Sequence, residues 1–370
     1  MVIKTEDFKG AAKKILAALS SDRNISVLEL KVDGDRLCMD TTNREFYVSV
    51  RFFVSEPVEF RAVVEARRFL GVVAALDCEE VELDASSGSY LELRTDGADY
   101  KLPLVCGEDG GMIELPAIAV DDPTVEMEVG YEVLRGVVDY NSTELDKVKN
   151  IDVNELQRLY YITEAGCFTF TTGACMFKFD LEKPVQLLLN ERVVKLFKLF
   201  DTDVEFRLGH GVSDAGRVFT TVSFSNGDVY VAALVNNDER LLARMKRPWD
   251  AANGYMDEGY DFSATVDTKL FRSAVDRLTV FSVKAKGERF TPVDVEYGDG
   301  YLTLSCEGAK ERIRIESAST GTYSMTLNLD DLRTVLESTK SATVSASFGN
   351  HRSVILARGP VINMVPELRK

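Results

Sequence analysis

One pattern of elements occurs three times along this chain: an amphipathic helix followed by three short strands with tight turns between them. In the first copy the helix runs from Val63 to Ala75 and the strands are EEVELDAS, SYLELRT and ADYKLPL. The second copy opens with a helix at Glu191 (ERVVKLFKLF) and continues through DVEFRLG, RVFTTVSFS and GDVYVAAL. The third opens at Leu329 (LDDLRTVLES) and continues through ATVSASFG, RSVILARG and PVINMVPEL. A repeated order of helix and strands constrains the fold more than any single residue, because a catalytic-looking triplet arises by chance and a triplicated supersecondary unit does not. Three like domains are expected.

Each third divides again. In the first, MVIKTE leads into FKGAAKKILAALS, with Ala11, Ile15, Leu16 and Leu19 near helical spacing, and SVLELKV, DRLCMDTT and EFYVSVRF then alternate with period two. The middle third opens with TVEMEV and GYEVLRGVVDY, the last with YDFSATV and DTKLFRSAVDRL, and Asp299-Gly300 marks a hairpin turn. Six half-repeats result, each with one helix and about four strands. Boundaries fall at Pro116 to Pro123 and in the polar segment from Asn236 to Gly259, which carries the single tryptophan, Trp249. The expected domains span residues 1–118, 119–240 and 258–370 of an α+β protein. One helix on a small antiparallel sheet buries too little area to stand alone, so two halves are expected to pack into each domain with their helices on one side. Sheet edges left at the two ends of the chain would be satisfied by head-to-tail association, which forms a ring if the rotation closes.

Composition narrows the function classes. With 370 residues and 45% apolar content the chain can bury more than one core. No apolar run reaches the roughly 18 residues a membrane span needs, and the N-terminus lacks the order of a secretory signal, so a cytoplasmic protein is expected. The six cysteines form no CxxC pair and only His210 and His351 could supply imidazole, so neither a metal nor another cofactor is expected. The formal charge of −16 argues against a polyanion as partner until its distribution is read. The helical spans of the repeats carry +6, and everything else carries −22. Basic helices on an acidic body suit a protein that meets a polyanion along one helical surface and repels it elsewhere.

Catalytic constellations are absent from the pattern. The acid pairs Asp121-Asp122, Glu79-Glu80 and Asp330-Asp331 have no neighbouring His or Lys for proton transfer. The run GHGVSDAG, Gly209 to Gly216, imitates a phosphate loop but joins strand to strand with no helix behind it. Neither histidine stands by a nucleophile elbow. A non-catalytic protein is expected; the alternative is an α+β repeat hydrolase or small-ligand-binding protein with a site at a domain junction.

These residues resemble a family, the bacterial DNA polymerase III β sliding clamps and their phage-encoded relatives, over the whole chain. The likeness is carried by the stretch from Ala66 to Leu104, by Asp276-Arg277-Leu278 after the third-domain helix and by the apolar, proline-containing terminus VINMVPEL. It implies the DNA clamp fold, closed as a head-to-tail homodimeric ring around double-stranded DNA that is held topologically and without sequence preference. It also implies a peptide pocket for a replicative DNA polymerase, a clamp loader and other proteins with clamp-binding motifs. Positions matching that pocket are Ile162, Thr171, Gly173, Met176 and Pro248, then Phe290, Asn328, Met364, Val365 and Pro366. Where the family usually has Asp-Gly-His-Arg-Leu, this chain has Thr172-Gly173-Ala174-Cys175-Met176, which removes two polar side chains from the rim. Arg23, Tyr160 and Tyr161 match positions that touch the duplex, and Tyr100, Leu102, Val280 and Phe281 match the subunit seam. Lys13, Lys14, Arg67, Arg68, Arg192, Lys195, Lys198 and Arg272 are the candidates for cations that would line the bore of such a ring.

Overall fold

The computed structural model describes residues 1–21, 26–146, 159–170, 174–212, 218–235, 237–257, 262–282, 290–317, 321–338, 343–348, 353–358 and 360–368. Among the described residues one order, a strand, a helix and three strands, recurs six times. The first half-repeat is β1 (Val2–Lys4), α1 (Thr5–Ser21), β2 (Val27–Asp33), β3 (Arg36–Thr42) and β4 (Phe46–Phe53). The second is β5 (Arg61–Glu65), α2 (Ala66–Ala75), β6 (Glu80–Asp84), β7 (Tyr90–Arg94) and β8 (Asp99–Pro103). The third is β9 (Pro123–Val129), α3 (Tyr131–Asp146), β10 (Leu159–Thr163), β11 (Gly166–Phe170) and β12 (Ala174–Lys178). The fourth is β13 (Gln186–Asn190), α4 (Glu191–Leu196) with a 3-10 turn at Phe197–Leu199, β14 (Val204–Val212), β15 (Val218–Ser225) and β16 (Val229–Val235). A separate helix, α5 (Glu239–Asp257), follows. The fifth is β17 (Phe262–Asp267), α6 (Thr268–Phe281), β18 (Pro292–Gly298), β19 (Tyr301–Cys306) and β20 (Ala309–Arg314), with the two-residue β21 (Glu316–Ser317) after it. The sixth is β22 (Tyr323–Asn328), α7 (Leu329–Ser338), β23 (Thr343–Phe348), β24 (Ser353–Arg358) and β25 (Val361–Pro366).

Consecutive halves are interlocked by exchange of their leading strands. β1 pairs with β6 of the next half while β5 pairs back with β2. The same exchange links β9 to β14 and β13 to β10, then β17 to β23 and β22 to β18. A half-repeat therefore completes its own sheet only with a strand from its partner, which is the physical reason the halves come in pairs.

The chain forms two compact units, Met1–Arg135 with Arg192–Asn237 and Gly136–Glu191 with Asp238–Lys370. The first holds the four-stranded sheet β1-β6-β7-β8 and the eight-stranded sheet β5-β2-β3-β4-β16-β15-β14-β9, whose halves meet at the β4–β16 pairing. Phe8 of α1 packs against Phe52 of β4 and Phe69 of α2, tying helix to sheet. The second holds the four-stranded sheet β20-β19-β18-β22 and the nine-stranded sheet β13-β10-β11-β12-β25-β24-β23-β17-β21, joined at β12–β25. Phe271 and Leu278 of α6 and Leu332 and Leu336 of α7 share a buried core with Val293, Leu304, Val344 and Val365 of these strands.

Local chemistry explains the element ends. The β-branched pair Val63 and Val64 belongs to β5, and α2 starts only at Ala66 because the Glu65 carboxylate accepts from the Arg67 and Arg68 amides. At the β18–β19 turn, Asp299 and Gly300 take φ of 53° and 77°, the doubly positive pair a two-residue hairpin requires. Gly136 on α3 lies so close to the sheet that an added Cβ would overlap the ring of Phe177 on β12. Gly136→Ala is expected to cost about 1–3 kcal/mol of overpacking, read as a lowered urea midpoint at unchanged slope.

Candidate functional site

Register on the nine-stranded sheet assembles one apolar row. Leu188 faces Tyr161, Tyr161 faces Phe168, Phe168 faces Met176 and Met176 faces Ile362, crossing β13, β10, β11, β12 and β25 on a single side. Helix α5 closes over this row with Met245, Trp249 and Ala252, which are all buried. The Trp249 ring centroid sits 6.1 Å from that of Tyr161 and 6.0 Å from that of Phe168, both edge-on. Leu241, Leu242, Ile362 and Met364 pack at the margin and stay only partly buried. Gln186 donates through Nε2 to the Tyr161 hydroxyl, and burial pushes that phenol's pKa up, so it stays neutral.

The residues assigned to a peptide pocket separate into those this face gathers and those it does not. Met176 and Met364 lie in the cluster, and Pro248 sits inside α5 immediately before Trp249. Ile162 does not join them: it pairs with Cys167 on the opposite side of β10, because a step of one residue along a strand reverses the face. Tyr161, assigned to DNA contact, takes the groove position instead. Val365 is fully buried in the core on the side of α7, and Asn328 is buried with its Oδ1 accepting from the Thr291 amide at 3.1 Å, a structural task. Phe290 is half-buried and Pro366 exposed. Thr171 and Gly173 lie outside the described residues, as does Arg23. Tyr160 and Tyr161 are both about 1% exposed, so neither phenol is offered to a duplex; both faces of β10 are covered. Met245, Trp249 and Phe168 were missing from the sequence-derived set, although Met245, Trp249 and Ala252 at helical spacing carried the signal.

The helix cations lie as follows. In the first unit α1 packs against α2, the Phe197–Leu199 turn and strands β3 and β4, which places these helices on one side of the eight-stranded sheet. Lys13, Arg67, Arg68, Arg192 and Lys198 are exposed, and Lys14 and Lys195 half-exposed. Lys14 Nζ is 3.1 Å from Asp201 and Arg192 is 3.6 Å from Glu45. In the second unit Arg272 approaches Asp276 at 4.0 Å, a carboxylate that Arg333 also holds at 3.2 Å. Surface pairs of this kind are worth about 0–1 kcal/mol, little enough for the cations to exchange an acid partner for a phosphate.

Among the described residues the strands β8 and β20 each end a four-stranded sheet, and β1, β9, β13 and β21 also end their sheets. By contrast β22 is bridged by Leu327 to Glu367, and β5 by Val64 to Leu104. Beside β20, α6 ends in Val280 and Phe281, which are 77% and 56% exposed, and Arg277 forks onto Glu311 of β20 at 2.7 and 2.8 Å. On β8 Tyr100 is half-exposed, whereas Leu102 is buried in its own sheet; Asp99, Lys101 and Pro103 are the outward side chains. Leu102 therefore serves the core and not a surface seam.

Elsewhere, a cavity of about 480 Å³ lies between the start of α1 and the α2–β6 connection, lined by Lys4, Thr5, Lys9, Cys78 and Glu79 among others. Lys9 Nζ donates to the Leu76 carbonyl and Thr5 Oγ1 lies 3.5 Å from Cys78 Sγ. His210 Nδ1 lies 3.1 Å from Thr220 Oγ1 across the β14–β15 hairpin. Among the described residues no three His, Cys, Asp or Glu side chains converge as a metal site, and no helix is long and apolar enough to cross a membrane.

No family model matches the sequence, and no curated protein matches it. The fold, however, matches solved structures along the full chain. The DNA polymerase III subunit beta of Pseudomonas aeruginosa superposes with a TM-score of 0.75 at 15% identity, covering 100% of both chains. The DNA polymerase sliding clamp of Bacillus subtilis gives 0.74 at 14% identity, covering 100% of this chain and 98% of that one. The DNA polymerase III beta subunit of Thermotoga maritima gives 0.73 at 15% identity, covering 100% and 99%.

Proposed function

We propose that this chain, which has the fold of the DNA polymerase III beta sliding clamps, is itself a sliding clamp: a non-catalytic ring that holds a replicative polymerase on DNA. The observation that carries this reading is the match over both chains' full lengths, together with two sheet-ending strands, β8 and β20, in the first and last thirds of the sequence. Two copies joined β8 to β20 and β20 to β8 would leave neither edge free, and head-to-tail joints of this sort close rings. The paired half-repeats support a reading of three clamp domains per copy, residues 1–118, 119–240 and 258–370.

Function then needs no active site. The cations of α1, α2, α4 and α6 would attract the phosphate backbone weakly and without sequence preference, while the acidic remainder, within a chain of net charge −16, repels DNA from other surfaces. The apolar row roofed by α5 is the surface on which polymerase, loader and other partners would anchor.

Solution mass and shape test this directly. Sedimentation equilibrium is expected to give about twice 41.2 kDa, with small-angle scattering showing a hollow particle. A monomer at micromolar concentration would sink the proposal.

A further inference from the structure

We infer that α5 is a resident, exchangeable occupant of the apolar groove on the nine-stranded sheet. The protein partner that uses this face is then a segment with the same anchor chemistry, an aliphatic side chain followed four residues later by an aromatic one. This rests on reading that face as a partner surface.

The row Leu188, Tyr161, Phe168, Met176 and Ile362 is apolar on the side away from α3, whose Gly136 abuts Phe177 on the other side. A sheet face this apolar must be covered. The cover comes from outside the repeating plan: α5 belongs to none of the six half-repeats and contributes to no sheet. Its hold is through side chains on one stripe, Met245, Trp249 and Ala252, at positions i, i+4 and i+7. That is how an amphipathic ligand helix seats in a groove, with a few anchors spaced along one side.

Three observations make the seat exchangeable. The helix lies over β10 and β13, whereas Ile362 and Met364 of β25 are only partly buried, so the row continues past the end of its cover and offers an incoming segment a place to begin. Pro248 inside α5 cannot donate to the carbonyl four residues back, which weakens the helix at the turn that carries Trp249. Arg240, Arg244 and Arg247 form an exposed ridge on the other side of α5, so the helix stays soluble when it lifts.

Because α5 is tethered, it competes at an effective concentration in the millimolar range, and a free peptide should enter only when the anchors are removed. The probe is a fluorescein-labelled peptide of residues 239–257, added in trans to the full-length chain. The double variant Met245→Ala, Trp249→Ala is expected to bind it at least tenfold more tightly than the wild type by anisotropy. Equal or weaker binding by the variant would make α5 a permanent wall and overturn the inference. Should that variant fold poorly by circular dichroism, amide hydrogen exchange of the wild type decides. The α5 amides are expected to exchange as a group, well before those of β10 to β12; exchange of α5 only together with those strands overturns it. Neither arm uses DNA or the ring, so failure here with a hollow dimer still observed removes this inference alone, whereas loss of the dimer removes the clamp reading.

Discussion

Closed around a nicked DNA circle, the protein is expected to stay bound through gel filtration in high salt and to leave within the run once the circle is cut a single time. Assembly would be achieved by dissociating the seam in mild denaturant and letting it re-form in the presence of the circle. The contrast follows from where the charge lies. A handful of helix cations, among them Lys13, Arg67, Arg68, Arg192 and Lys198, face solvent on a chain of net charge −16. For a protein with about six phosphate contacts, raising salt from 50 to 200 mM costs on the order of 10³ in affinity, so contact-held protein would wash away. A closed ring need break no contact to remain. It leaves by sliding off an end, and a circle has none. Neutralising Arg192, Lys195 and Lys198 together is expected to lower the yield of assembly more than the persistence of what has assembled. Equal loss from circular and linear DNA would show that affinity and not encirclement holds the protein.

The element order was legible because each element announces itself locally. Alternation in SVLELKV or TVEMEV, the Asp299-Gly300 turn and the helical spacing of Ile15 and Leu19 all fall within a short window. What was not legible depends on partners far away in sequence. Whether Tyr160 or Tyr161 packs cannot be read from β10 alone: alternation exposes one of them only if one face is open, and α5 closes the face that Tyr161 occupies. The same register places Ile162 away from Met176, a distinction one residue wide. Leu102 shows the converse, since Asp99, Lys101 and Pro103 around it announced an alternating edge strand whose inward residue is core. Helix α5 was hidden because Pro248, Gly254 and a mostly charged surface read as a polar connector, and its stripe of Met245, Trp249 and Ala252 gains meaning only against a sheet.

Replacing Val280 and Phe281 with aspartate should convert the proposed dimer into monomers without unfolding them. Both side chains are already 77% and 56% exposed in the single chain, so charge there costs the folded subunit almost nothing. At a seam along β20 the same positions would be covered. Two apolar side chains of this size contribute about 1.5–3 kcal/mol each when buried, and an unpaired carboxylate forced into the joint adds a penalty of several kcal/mol. Even a net loss of about 4 kcal/mol per joint is roughly a thousandfold in the joint's equilibrium constant. A two-subunit ring contains two such joints, both altered by one pair of substitutions, so the losses compound. Sedimentation velocity at micromolar concentration should therefore show a species near 41.2 kDa, with a thermal transition shifted by no more than a few degrees. The altered protein should also lose retention on circles, because a monomer encloses nothing. A variant that still sediments as a dimer would move the joint away from β20 and the end of α6, and the ring would have to close elsewhere.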